Sequence, residues 1–131
     1  MSVAQIKIYG LRDQLNPIKE QLSQVIHSVT MDVLGLPENK KFHRYFPMET
    51  EDFLFSPDRS ANYTIIEISM FEGRSDLSKR ELLMQLFSRL NDQLNLSAMD
   101  VEITLFETPR SHWGIRGLPG DELDLSYQVD V

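Results

Sequence analysis

Arg74 is the first residue whose setting suggests chemistry. It stands in Glu72-Gly73-Arg74-Ser75, directly after the run Tyr63 to Phe71, in which Ile66, Ile68 and Met70 alternate with Glu67, Ser69 and Phe71. That alternation predicts a strand with one apolar face. Gly73 makes a tight turn and Ser75 caps a following helix. The rim where strand meets helix is a common seat for anionic ligands in α/β sheets. A planar guanidinium there can grip a carboxylate with two bonds. The competing reading is a solvated turn arginine paired with Asp76 or Glu72. Trp113, the only tryptophan, lies between His112 and Gly114 and could wall a pocket or plug a subunit interface. His43, followed by Arg44, could border a pocket or sit on an exposed strand face. His27, His43 and His112 lack the spacing of a metal site, so no metal or other cofactor is expected. Glu49, Glu51 and Asp52 read as a solvated loop. No Gly-rich phosphate loop and no nucleophile elbow occurs.

The elements that must position these residues follow from periodicity. Ala4, Ile6 and Ile8 alternate with Gln5, Lys7 and Tyr9, a strand over residues 3–9. Asn16-Pro17 predicts a helix start, and Ile18, Leu22, Val25, Ile26, Val29 and Val33 form its apolar stripe. Gly35 closes that helix. A poorly alternating strand is expected near Phe42–Pro47, and a short one around Phe53–Phe55. A second helix is expected from Asp76 to Leu94, burying Leu83, Leu86, Phe87, Leu90 and Leu94. Val101, Ile103 and Leu105 mark another strand. His112 to Gly117 reads as a short hairpin or loop. Leu123, Leu125, Tyr127, Val129 and Val131 alternate with polar residues in a last strand, suited to pairing with a neighbouring subunit.

The chain has 131 residues, 41% of them hydrophobic, which is enough for one domain with a real core. It contains no cysteine, so disulfides and thiolate metal sites are excluded. The formal net charge of −7 works against nucleic acid as a partner. No apolar run approaches the ~20 residues that cross a bilayer, so no membrane partner is expected. The first residues, MSVAQIKIYG, lack the layout of a signal peptide. These features together predict a cytoplasmic location.

The chain also repeats itself. A shift of 62 residues carries Ala4, Ile6 and Ile8 onto Ile66, Ile68 and Met70, and Arg12 onto Arg74. In the helices a shift of 61 carries Leu22 onto Leu83 and Ile26 onto Phe87. The resulting expectation is an α+β fold of two tandem β-α-β units, residues 2–47 and 63–107. Each unit would have parallel strands and a right-handed crossover helix. Together they give a four-stranded sheet with both helices on one face, followed by hairpin strands over 108–131. The opposite face, with Gln5, Tyr9, Phe71 and Phe106, is mixed rather than polar, which suggests self-association.

Three segments carry a family resemblance. Phe71-Glu72-Gly73-Arg74-Ser75-Asp76 with Lys79, then Val101-Glu102-Ile103-Thr104, then His112-Trp113-Gly114-Ile115-Arg116-Gly117 resemble, in order and spacing, 4-oxalocrotonate tautomerase of the tautomerase superfamily. Two repeats in one chain are more similar to the malonate semialdehyde decarboxylase and cis-chloroacrylate dehalogenase branches. The resemblance implies a homotrimer of two-repeat chains acting on a small 2-oxo or enol carboxylate. It implies substrate-binding roles for Arg74 and Arg12, and a pocket closed by Trp113. The family's catalyst is an N-terminal proline. Here Ser2 follows Met1, and no proline occurs before Pro17. Ser2 could act only through a free amine, with a pKa of about 7.7–8. The matching position of the second repeat is Thr64. A family arginine on the strand after the helix falls on Glu102, and the decarboxylase branch's aspartate lies opposite Lys40. The alternative implied is a protein of this fold without turnover, binding a small acid or serving assembly.

Overall fold

The computed structural model describes residues 4–123. Strict alternation builds β1 (Ala4–Leu11) and β3 (Thr64–Phe71), and in each the even-numbered residues are buried. β2 (His43–Met48) and β4 (Val101–Thr108) are the outer strands, giving the order β2-β1-β3-β4. β1 pairs in parallel with β2, and β3 in parallel with β4. The central pair is antiparallel, with Ala4 opposite Met70 and Gly10 opposite Thr64. The two β-α-β units therefore point in opposite directions. The end of β3 lies beside the start of β1, and the end of β1 beside the start of β3.

Helices α2 (Lys19–Leu34) and α3 (Asp76–Leu94) pack against each other and cover the face carrying Ile6, Ile8, Ile66, Ile68 and Met70. Leu22, Ile26, Leu82, Leu86 and Leu90 are inaccessible to solvent. Each such side chain contributes about 2 kcal/mol by leaving water. Ser75 caps α3 as expected, its Oγ accepting from the Ser78 N–H at 3.1 Å. Both helices end on a left-handed residue, Gly35 and Asn95, and a buried leucine follows each, Leu36 and Leu96. These ends lie 60 residues apart, so Leu22 corresponds to Leu82 rather than Leu83. Adjacent leucines leave the choice open to periodicity, and the end of the helix decides it.

Two expected boundaries move. Asn16 closes a short helical turn, α1 (Arg12–Leu15), its N–H donating to the Arg12 carbonyl. The long helix then begins at Lys19, not at Asn16-Pro17, because buried Leu15 pins the preceding turn to the core. No strand forms around Phe53–Phe55. A 3-10 turn, Thr50–Asp52, precedes a cluster in which Phe53, Phe55 and Tyr63 pack with ring centroids 5.0–5.5 Å apart. Side chains, not ladder bonds, hold that segment.

After β4 comes a hairpin of β5 (Gly114–Ile115) and β6 (Leu118–Pro119). Leu123 is buried, and the rest of the expected last strand lies outside the described residues, as does Ser2. Among the described residues no helix is long and apolar enough to cross a membrane. The uncovered sheet face bears the stacked pair Tyr9–Phe46 at 4.8 Å, and Phe46 and Phe106 are exposed. On the same face the Tyr9 hydroxyl donates to Glu67 at 2.7 Å. That bond, with burial and the carboxylate charge, pushes its pKa up to about 12.

Candidate active site

The rim after β3 is built from the turn residues upward. Gly73 has φ 125°, a conformation that L side chains rarely adopt, and it lets the chain swing from β3 into α3. Arg74 follows, and it is not a solvated turn residue: it is 5% exposed. Its Nη2 donates to the Leu34 carbonyl at 3.5 Å, at the C-terminal end of α2. Asp76 is engaged elsewhere, pairing with Lys79 Nζ at 3.2 Å. Lys79 also binds Glu107 at 3.0 Å, and that carboxylate is the chief cause of its raised pKa.

Trp113 stands over the last residue of β3. Its ring meets Phe71 edge-on, with centroids 5.2 Å apart at 87°. Its Nε1–H donates to the Thr108 hydroxyl. Thr108 is Phe71's partner in the ladder, and its carbonyl accepts from the Glu72 N–H at 2.8 Å. Trp113 is therefore half-buried against Phe71, which stands three residues before Arg74 in the chain. Arg110 lies over the same Phe71 ring, 5.6 Å from its centroid. Residue type and spacing do not single out Arg110. Its only signal was a cation at the start of the segment that carries Trp113.

Arg12 is at the other end of the sheet. It follows β1, whose last residue pairs with Met48, while Arg74 follows β3, whose last residue pairs with Thr108. Eight-residue strands separate these ends by roughly 23 Å. Within one chain the two arginines do not face one ligand. Arg12 is exposed and bound to Glu49 at 2.6 Å, beside a cavity of about 210 Å³ lined by Leu11, Gln14, Met48 and Ala61 among others. Glu49 is thus paired rather than merely solvated. The shift of 62 that superposes Arg12 on Arg74 does not give them equal surroundings.

His43 is on the helix-facing side of β2. Its Nδ1 lies 2.8 Å from Ser23 Oγ, which lies 2.5 Å from the Tyr45 hydroxyl. Tyr45 donates its only proton to the Lys19 carbonyl at 2.7 Å. Ser23 must then donate to Tyr45, so His43 Nδ1 carries a hydrogen. Burial first, then the charges of His27 and Lys41, lower the His43 pKa to about 4. The ring is neutral near pH 7 and joins edge strand β2 to α2.

Thr64 opens β3 fully buried, its hydroxyl donating to the Asn62 carbonyl at 2.9 Å. Glu102 binds Arg59 at 2.8 Å, and this bond chiefly lowers its pKa. Arg59 also pairs with Asp58, and Asp100 accepts two bonds from Ser60, at 2.7 and 2.6 Å. The acidic groups at the start of β4 thus serve to hold the loop between the repeats. Among the described residues no group of three His, Asp or Glu side chains is placed to hold a metal ion.

The family model described as "Tautomerase enzyme" matches residues 40–116, more than half of the chain and including Arg74 and Trp113. The chain belongs to this tautomerase family. The 2-hydroxymuconate tautomerase of Pseudomonas putida is 30% identical over 60 residues, which cover 46% of this chain and 95% of that protein. This span is close to one repeat of the tautomerase fold. Among solved structures, malonate semialdehyde decarboxylase is similar over 91% of this chain and 99% of its own, with a TM-score of 0.78 and 19% identity. Native fused 4-OT matches 91% of this chain and 98% of its own, at TM-score 0.78 and 18% identity. A related fused 4-OT, R7, solved as an asymmetric trimer, covers 89% of this chain and 96% of its own at TM-score 0.78 and 15% identity. At these identities the likeness concerns the fold, and it spans both repeats of this tautomerase-family chain.

Proposed function

We propose that the chain binds a small 2-oxo or enol carboxylate at the rim after β3, with Arg74 as the anion-binding group and Trp113 as its apolar wall. The carrying observation is Arg74 itself, buried at the rim beside the start of β1. A guanidinium kept from bulk water binds a carboxylate more strongly than an exposed one. Ala4, two residues after Ser2 in the chain, pairs with Met70 near the end of β3. With Met1 removed, the amine of Ser2 would titrate at about 7.7–8 and serve as a base near neutral pH. Keto–enol transfer would then be a proton moved by that amine on a substrate held by Arg74. Arg12 and His43 take no part in this single-chain rim. A homotrimer is the assembly supported by the trimeric fused 4-OT relative and by the exposed Phe46 and Phe106 on the uncovered sheet face.

A second reading, binding without turnover, draws on two positions. Thr64 is internal and offers no amine, and Glu102 is held by Arg59 where the resemblance places an arginine. One assay separates the two. Ketonisation of phenylenolpyruvate is followed with protein whose N-terminal Ser2 is verified by mass, with protein retaining Met1, and with Arg74→Ala. Turnover that requires Ser2 and Arg74 is expected. A rate no higher than buffer with Ser2 exposed rejects the enzyme, and Arg74-dependent binding of phenylpyruvate in that case leaves the binding protein.

A further inference from the structure

The segment carrying Trp113 is short and has little ladder bonding of its own, two residues on each side of a hairpin. Something else must fix it on the sheet. Arg110 is the side chain that reaches both limbs. Its guanidinium lies over Phe71, whose ring also receives the edge of Trp113. Its Nη2 donates to the carbonyls of Gly120 at 3.5 Å and Leu123 at 3.4 Å, on the return limb. The main chain closes the same knot: the Trp113 N–H donates to the Arg110 carbonyl at 3.1 Å, and the Gly120 N–H to the Trp113 carbonyl at 2.8 Å. Gly120 is buried there because space is lacking. A Cβ would stand 2.4 Å from the Arg110 carbonyl oxygen and 3.1 Å from Phe71.

We infer that Arg110 is a positioning residue, which fastens the loop 110–123 to Phe71 and so sets Trp113 over the rim that holds Arg74. This rests on the carboxylate-binding reading for its consequence, not for its geometry. A flat guanidinium lies on an aromatic face while its Nη2 bonds two carbonyls. A lysine keeps the charge but not the flat face. Arg110 need not touch the ligand: its effect passes through Phe71 and the loop to the indole.

Trp113 is the only tryptophan, so its emission reports its own position. Full-length Arg110→Met and Arg110→Lys are compared with the parent protein by acrylamide quenching, far-ultraviolet circular dichroism and phenylpyruvate binding. Expected is greater quenching and red-shifted emission in Arg110→Met with unchanged dichroism, and only partial recovery in Arg110→Lys. The phenylpyruvate Kd should rise on the order of tenfold, the effect of losing one aromatic contact between a displaced Trp113 and the ligand. Unchanged Trp113 quenching in folded Arg110→Met overturns the proposal. If Arg110→Met does not fold, Arg110→Lys decides. It keeps charge and length but not the flat contact with Phe71, and Trp113 quenching and emission equal to the parent's there overturn the proposal. Quenching requires no ligand, so a parent protein that fails to bind phenylpyruvate rejects the carboxylate reading alone.

Discussion

The two rims of this sheet start from similar sequence and end in different states. Each follows a central strand, and each carries an arginine near the strand's end. After β3 the arginine is buried against the end of α2, and Trp113 packs on Phe71, three residues before it in the chain. After β1 it is exposed and already paired with Glu49. Antiparallel pairing of β1 with β3 puts the two rims at opposite ends, so neither can assist the other within one chain. A duplicated unit thus duplicates the scaffold, while the loops that follow each strand decide what its turn can hold. One rim has the hairpin of residues 110–123. The other has Glu49 and the aromatic segment 53–63.

Removing each arginine in turn should separate the two rims most widely. Arg74→Ala should weaken phenylpyruvate binding by about a hundredfold, as expected for loss of a buried charge-assisted contact of 2–3 kcal/mol. Calorimetric titration measures it, and equal losses in Arg74→Ala and Arg12→Ala would dissolve the distinction. Gly120→Ala should lower stability by about 2–3 kcal/mol, because the clash is with a carbonyl of the backbone. Denaturant unfolding gives that figure, and an unchanged midpoint would mean that the loop yields freely.

His43 belongs to the seam between β2 and α2 rather than to either rim. Its folded pKa of about 4 lies below the usual 6.5, so the unfolded chain binds the proton more readily. Stability from this group is therefore complete above pH 6.5 and is lost as pH falls toward 4. The loss should be on the order of 2 kcal/mol, and His43→Gln should flatten that part of the stability–pH curve while leaving ligand affinity unchanged. Affinity that falls with His43→Gln would return His43 to the binding site. Arg12→Ala should have the smallest effect, within about 1 kcal/mol of stability, since its ion pair is exposed. Salt titration of the unfolding midpoint tests it.

Much of the framework was legible in the residues. Period-2 alternation located β1, β3 and β4, and Ser75 and Gly35 marked helix ends, because these signals act within a few residues. Asn16-Pro17 misled because buried Leu15 outweighed a local start signal. Phe53–Phe55 misled because aromatic residues favour strands and hydrophobic clusters alike. In the candidate site Arg74 and Trp113 were legible by type and spacing. Arg110 and Gly120 were not, since both act through contacts with Phe71, some 40 to 50 residues away along the chain. The same holds for His43, whose partner Ser23 lies on a different element.

The sequence by itself determined the repeated β-α-β scaffold, the apolar faces that close it, and the presence of arginine at two turns. It also determined that serine, not proline, follows Met1. Only the tertiary structure decided that one arginine is buried and the other spent on Glu49, and that the histidine is part of a seam. The physical reason is range. Periodicity and capping are set by neighbours in the chain, whereas the burial and pairing of a charge depend on which distant loop folds over it.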